Sequence, residues 1–184
     1  MPLSQPGART KGLPLVDPSP NAPEIGDLGD GVWLVGKFEG YRMFLTASQR
    51  AVYTEIDFRV QHVFGHPNLP SLGEGTLIQI DRPGGTIVAP WGKTISYEVR
   101  PEQHEFQPNH IYLTALAYHP HGNFYSGGSD TGKRWDVTYG FARPGNALLA
   151  QRAAQGRSEI SGLSLPQVIQ LVDEKFEEYQ RKER

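Results

Sequence analysis

Between Val52 and Phe64 the chain reads VYTEIDFRVQHVF. Val52, Thr54, Ile56, Phe58, Val60, His62 and Phe64 fall on one parity. Tyr53, Glu55, Asp57, Arg59 and Gln61 fall on the other, and only Val63 interrupts the polar series. Alternation of this length predicts a long strand with one buried and one wet face, the signature of an antiparallel sheet or barrel.

Further strands are predicted on either side. Val32–Glu39 (VWLVGKFE) is the first, with Gly36 suited to a bulge or a close backbone approach, and GYRMFLTASQR reads as the loop that follows. Residues 76–81 (TLIQID) form another and end at the turn signal Arg82-Pro83-Gly84-Gly85. Residues 86–89 and 94–99 pair around Pro90-Trp91-Gly92, residues 110–117 (HIYLTALA) alternate again, and 124–126 and 134–139 complete the set. This spacing predicts an all-β fold, a partly open antiparallel barrel of OB-like or sandwich form.

Past residue 143 the pattern changes period. GNALLAQRAAQ (145–155) predicts a short helix. Ser164-Leu165-Pro166-Gln167 is a capping box, and Val168, Leu171, Val172, Lys175, Phe176 and Tyr179 then share one helical stripe opposite a charged side. Residues 1–30 carry Pro2, Pro6, Pro14, Pro18, Pro20 and Pro23 and little apolar periodicity. The expected organisation is therefore an extended proline-rich arm (1–30), a barrel domain (31–143) and a helical extension packed on it (144–184).

Composition sharpens this picture. With 21 glycines and 15 prolines in 184 residues, many short strands are favoured over a bundle. A net charge of −2 gives no electrostatic reason to expect nucleic acid. The absence of cysteine removes disulfides, thiolate metal sites and a cysteine nucleophile. No apolar run is long enough to insert in a membrane, and the N-terminal stretch lacks the apolar segment of a signal peptide. A mature extracytoplasmic form is expected, with a cytoplasmic setting as the alternative.

Several residue sets are candidates for chemistry. GGSDTGK (127–133) matches the start of a phosphate-binding loop. Arg134 stands where that loop needs Ser or Thr, and strand-like RWDVTY follows, so a hairpin turn is the better reading. His119 and His121 lie two apart and can offer two metal positions, with His62 or His66 as a third, but the set lacks a metal-site spacing. Glu55 and Asp57 project from one strand face, where cross-strand charge pairing explains them more simply than acid–base catalysis. Trp33, Trp91, Trp135, Phe106, Tyr112, Phe124 and Tyr125 can line a groove or fill a core, and core is expected. No catalytic residue, cofactor site or metal site is assigned.

Val35-Gly36, then Tyr53, Thr54, Val60, Val63 and Gly65, then Ile78 with Gly84-Gly85, and finally Asn109, Tyr112, Leu113 and Leu116 form a series of strand and turn positions. In that series the chain resembles an uncharacterised β-rich domain of exported bacterial proteins, similar in outline to the OB-like barrel of tissue inhibitors of metalloproteinases. Asn109 stands where the turn glycine is usual, Ala115 replaces an aromatic, and the inhibitors' cysteines are missing, so inhibition is not carried over. The resemblance implies a barrel and an exported setting.

The expected function is a non-catalytic binding module or accessory subunit, in the envelope or secreted, that docks a protein partner through the proline-rich arm. The alternative is a metal-dependent or carboxylate enzyme using His119 and His121. A nucleic-acid-binding OB-type barrel comes third.

Overall fold

The computed structural model describes residues 24–25, 31–65, 69, 72–97, 106–120, 124–126 and 133–183. Among them are nine strands and two helices: β1 Val32–Leu45, β2 Val52–Val63, β3 Leu77–Pro83, β4 Gly85–Val88, β5 Thr94–Tyr97, β6 Ile111–His119, β7 Phe124–Ser126, β8 Arg134–Asp136, β9 Arg143–Pro144, α1 Ala147–Ala154 and α2 Leu165–Glu183. The main sheet runs β1-β2-β3-β7-β6-β8-β9, and a second ladder joins β1 to β6. Five strands thus close into a barrel, where a partly open wall was expected. Its pairs are antiparallel except β3 with β7, which run parallel.

The lumen is filled from the inward positions of these strands. Leu34, Phe38, Ile56, Phe58, Val60, Ile80, Tyr112 and Leu116 are almost inaccessible to water. The phase expected for Ile56, Phe58 and Val60 is the observed one. Phe106 plugs this core, edge-on to Phe58 and to Tyr112 with ring centroids 4.9 Å apart in each case. Of the aromatics that could line a groove or fill a core, Trp33, Trp135, Phe106, Tyr112 and Tyr125 lie in the two cores.

Two bulges correct the sequence reading of β1 and β2. Val35 faces His62 while Gly36 faces Val60, so Gln61 is an extra residue on β2. One inserted residue reverses the facing of everything beyond it. His62 and Phe64 therefore leave the lumen side on which their parity put them, and Val63 turns to the lumen core instead. Phe64 joins a separate core outside the barrel. Gly36 sits at this irregularity, and a Cβ there would lie 3.0 Å from the Phe58 ring and 3.2 Å from the Arg59 carbonyl oxygen. The second bulge inserts Glu39 on β1. It lets the strand continue to Leu45 through residues read as loop, leaving the turn to residues 46–51, closed by Thr46 N–H on the Ala51 carbonyl at 2.8 Å.

The outer core explains why β1 is apolar on both faces and why β6 departs from the alternation expected of residues 110–117. Trp33, Val35 and Leu113 point away from the lumen and are covered by Leu149 of α1, Val168 and Val172 of α2, and Ile160 between the helices. Trp33 and Trp135 stack there with centroids 6.2 Å apart. A strand buried on both faces reads as a continuous apolar run, as VWLV and IYL do. The stripe of α2 packs as expected, and the Ser164 capping box forms, with the Ser164 N–H donating to Gln167 Oε1 at 2.9 Å.

Two residues of the expected arm belong to this outer core. Ile25 is buried against it. The Glu24 carboxylate, also buried, accepts from Ser158 Oγ at 2.8 and 2.9 Å, from Glu159 N–H at 2.6 Å and from Ile160 N–H at 3.1 Å. Residues 1–23, and with them the whole proline series, lie outside the described residues.

Candidate functional site

The β4–β5 hairpin stands apart from the barrel sheet as its own two-stranded ladder. It is anchored at Gly85, whose φ of 132° and whose approach to Thr54 Oγ1 and Met43 Sδ would strain any side chain. Ile87 faces Ile95 across the ladder, and the tip closes through Ala89 N–H on the Lys93 carbonyl at 2.8 Å. Val88, Trp91 and Tyr97 remain 70%, 52% and 48% exposed. Among the described tryptophans, Trp91 is thus the one left in water.

Beside the hairpin, the wet wall of β2 and β3 carries Glu55, Asp57 and Asp81. Glu55 stands directly opposite Asp81. Arg42 reaches Glu55 at 3.3 Å and Asp57 at 3.5 Å, so the paired carboxylates are bridged by one guanidinium rather than held as an acid and a base. Arg59 donates to both oxygens of Glu39, at 2.5 and 2.8 Å. Burial raises Asp81 above the ordinary aspartate value.

The described histidines fall into three separate settings. His62 Nε2 is 3.6 Å from Asp173 on α2, at the rim of a shallow cavity of about 350 Å³ that also includes Phe176, Glu177 and Gln180. His119 Nε2 is 2.6 Å from Ser126 Oγ across the β6–β7 pair. His66, His104 and His121 lie outside the described residues, as do residues 127–132 of the glycine-rich loop. Lys133, at the end of that loop, sits 5.4 Å over the Trp33 ring. Among the described residues, no three His, Asp or Glu side chains come together in a metal-binding arrangement. No described helix is long and apolar enough to cross a membrane.

The third histidine belongs to a hydrogen-bonded constellation that sequence reasoning missed. His110 Nδ1 is 2.7 Å from Asp136 Oδ2. Asp136 Oδ1 accepts from the Thr138 N–H at 2.9 Å, which ends β8 at Asp136 instead of the expected residue 139. The Thr138 hydroxyl in turn accepts from the Ile111 N–H at 2.8 Å. Burial alone would raise Asp136, but the Thr138 and His110 hydrogen bonds outweigh it and hold the carboxyl below its ordinary value. The far nitrogen, His110 Nε2, lies 3.3 Å from the Tyr139 hydroxyl, and the Arg143 guanidinium sits 5.3 Å over the Tyr139 ring. Asn109 lets the chain enter this site with φ 65°, the left-handed conformation that asparagine tolerates and that a turn glycine would supply. No motif in the sequence links residues 110, 136 and 139, because β6 and β8 become neighbours only in the folded sheet. No protein-family model, curated protein or solved structure matches the chain.

Proposed function

We propose that this protein is a non-catalytic binding module that docks a protein partner through the β4–β5 hairpin. The observation that carries this reading is the exposure of Val88, Trp91 and Tyr97 on the two faces and the tip of a hairpin outside the barrel sheet. Tryptophan and tyrosine dominate the energetics of protein interfaces, and a rigid ladder presents them at low entropic cost. The proline-rich arm is retained as a second contact, and an exported or envelope setting as the compartment.

The strand order β1-β2-β3-β7-β6-β1, with its one parallel pair, supports an OB-type barrel. Such barrels commonly bind oligonucleotides on their second and third strands. Here that wall presents Glu55, Asp57 and Asp81, and Arg42 and Arg59 are engaged by carboxylates. A polyanion would meet repulsion there, which favours a protein partner. For the alternative of a metal-dependent or carboxylate enzyme using His119 and His121, His119 Nε2 is 2.6 Å from Ser126 Oγ and His121 lies outside the described residues.

The test places a photo-crosslinking side chain at Trp91 and, as a control, at Gln61, in cells that express the native protein. A defined protein adduct specific to position 91, abolished by Val88→Ser, is expected. Adducts only to a second copy of this chain, or equal adducts at both positions, would overturn the reading. Oligonucleotide binding at low salt that collapses as salt rises would favour the nucleic-acid alternative instead.

A further inference from the structure

The constellation around His110 does more than pin a strand end. Asp136, held ionised, can only accept, so His110 directs its Nδ1–H at that carboxylate, and in the neutral tautomer Nε2 is left as the acceptor. The group facing Nε2 is the phenol of Tyr139, 3.3 Å away, whose O–H can donate to it in that tautomer. Tyr139 itself is 61% exposed on a tight turn closed by the Gly140 N–H on the Val137 carbonyl. Moving the phenol proton to Nε2 would create an imidazolium against the Asp136 carboxylate. It would also leave a phenolate beside that imidazolium, with the Arg143 guanidinium 5.3 Å over the ring. Each charge formed is therefore met by an opposite charge already in position.

We propose that Tyr139 is a base-assisted nucleophile and the acceptor site for an activated acyl group, supplied as an aryl ester or thioester. His110 Nε2 takes the phenol proton as Tyr139 Oη attacks the acyl carbonyl carbon. The tetrahedral adduct collapses, the bond to the leaving group breaks, and the departing phenolate or thiolate takes the proton back from Nε2. The product is an ester on Tyr139. Open solvent on the phenol side gives the donor access, and the outcome is a modified protein rather than turnover. This inference is independent of the docking reading.

The molecule carries its own controls. Tyr41 is 59% and Tyr97 48% exposed, and neither phenol makes a hydrogen bond to the other described residues. The full chain is treated with p-nitrophenyl acetate, and acetylation of each tyrosine is followed by peptide mass mapping. Positioned general bases contribute about 100-fold or more to such steps. Tyr139 is accordingly expected to acetylate at least about tenfold faster than Tyr41 and Tyr97, allowing for a contact longer than ideal. His110→Gln should bring Tyr139 down to the rate of the other two while leaving theirs unchanged, with an unaltered near-UV circular dichroism spectrum reporting an intact fold. If that variant does not fold, Arg143→Gln, at an exposed position, should slow Tyr139 several-fold and spare Tyr41. Equal rates at the three tyrosines in the unmodified protein, or acetyl groups accumulating on His110 instead, would overturn the proposal.

Discussion

The wall of β2 and β3 and the wall of β1, β6 and β8 belong to one sheet, yet they solve different problems. The first separates lumen from water. Ile56, Phe58, Ile78 and Ile80 face in, while Arg59, Leu77 and Gln79 face out. The second separates two cores: Leu34 and Tyr112 fill the lumen, while Trp33, Leu113 and Trp135 lie under the helices. A strand's sequence pattern thus reports how many of its faces are covered, and the two walls differ chiefly in that respect.

The sharpest way to break this comparison is to remove one large ring from each side. Phe58→Ala empties the lumen and Trp135→Ala the outer core, and each should lower unfolding free energy by about 3–5 kcal/mol in denaturant titrations. A Trp135 loss under about 1 kcal/mol would mean that the helical cover is dispensable to the barrel. The next largest effect tests what ties the cover down. Glu24→Ala leaves two backbone N–H groups and the Ser158 hydroxyl without their acceptor, at a cost of about 1–3 kcal/mol. Amide exchange should accelerate at Glu159, Ile160 and α2, and remain slow in β2 and β3. Equal acceleration in both walls would show that the two cores unfold as one unit.

Two carboxylates extend the comparison to pH, with opposite signs. Asp136 titrates below its ordinary value of 3.8 in the folded protein. Its contribution is therefore fully present above that value and is lost as pH falls through the folded one. Asp81, on the wet wall, is raised by burial. The fold prefers its protonated form, so its contribution fades as pH rises from 3.8 through the higher folded value. Asp136→Asn should lower stability at neutral pH and flatten the acid limb below pH about 4, while Asp81→Asn should raise neutral-pH stability slightly. Thermal melts between acid and neutral pH separate the two, and a fall in neutral-pH stability in Asp81→Asn would contradict its sign. The smallest effect belongs to the exposed bridge: Arg42→Ala should cost less than about 1 kcal/mol and matter less at high salt.

Much of the covered-and-wet distinction is legible in the order of residues alone. Alternation locates β2 and its phase, turn residues locate the hairpin, and Ser164 and Gln167 locate the start of α2. Val63 is itself a legible sign, since an apolar residue in the polar series marks where the bulge at Gln61 reverses the faces. The extension of β1 past Glu39 is hidden because a bulged strand loses its period in the sequence. The His110–Asp136–Tyr139 constellation and the Glu24 contact are hidden for another reason. Each joins residues that neither periodicity nor spacing connects, the latter across more than 130 positions.

Glu24 also has a consequence for the order in which this chain can be finished during synthesis. It emerges from the ribosome 134 residues ahead of Ser158. The strands that close the barrel lie between them, so the lumen can fill while Glu24 and Ile25 still wait for their partners. Through that interval the outer faces of Trp33, Val35 and Leu113 stay open to water, a sticky surface on an otherwise closed body. The nascent protein would then still carry an aggregation-prone face, and still need a chaperone, after its barrel has formed.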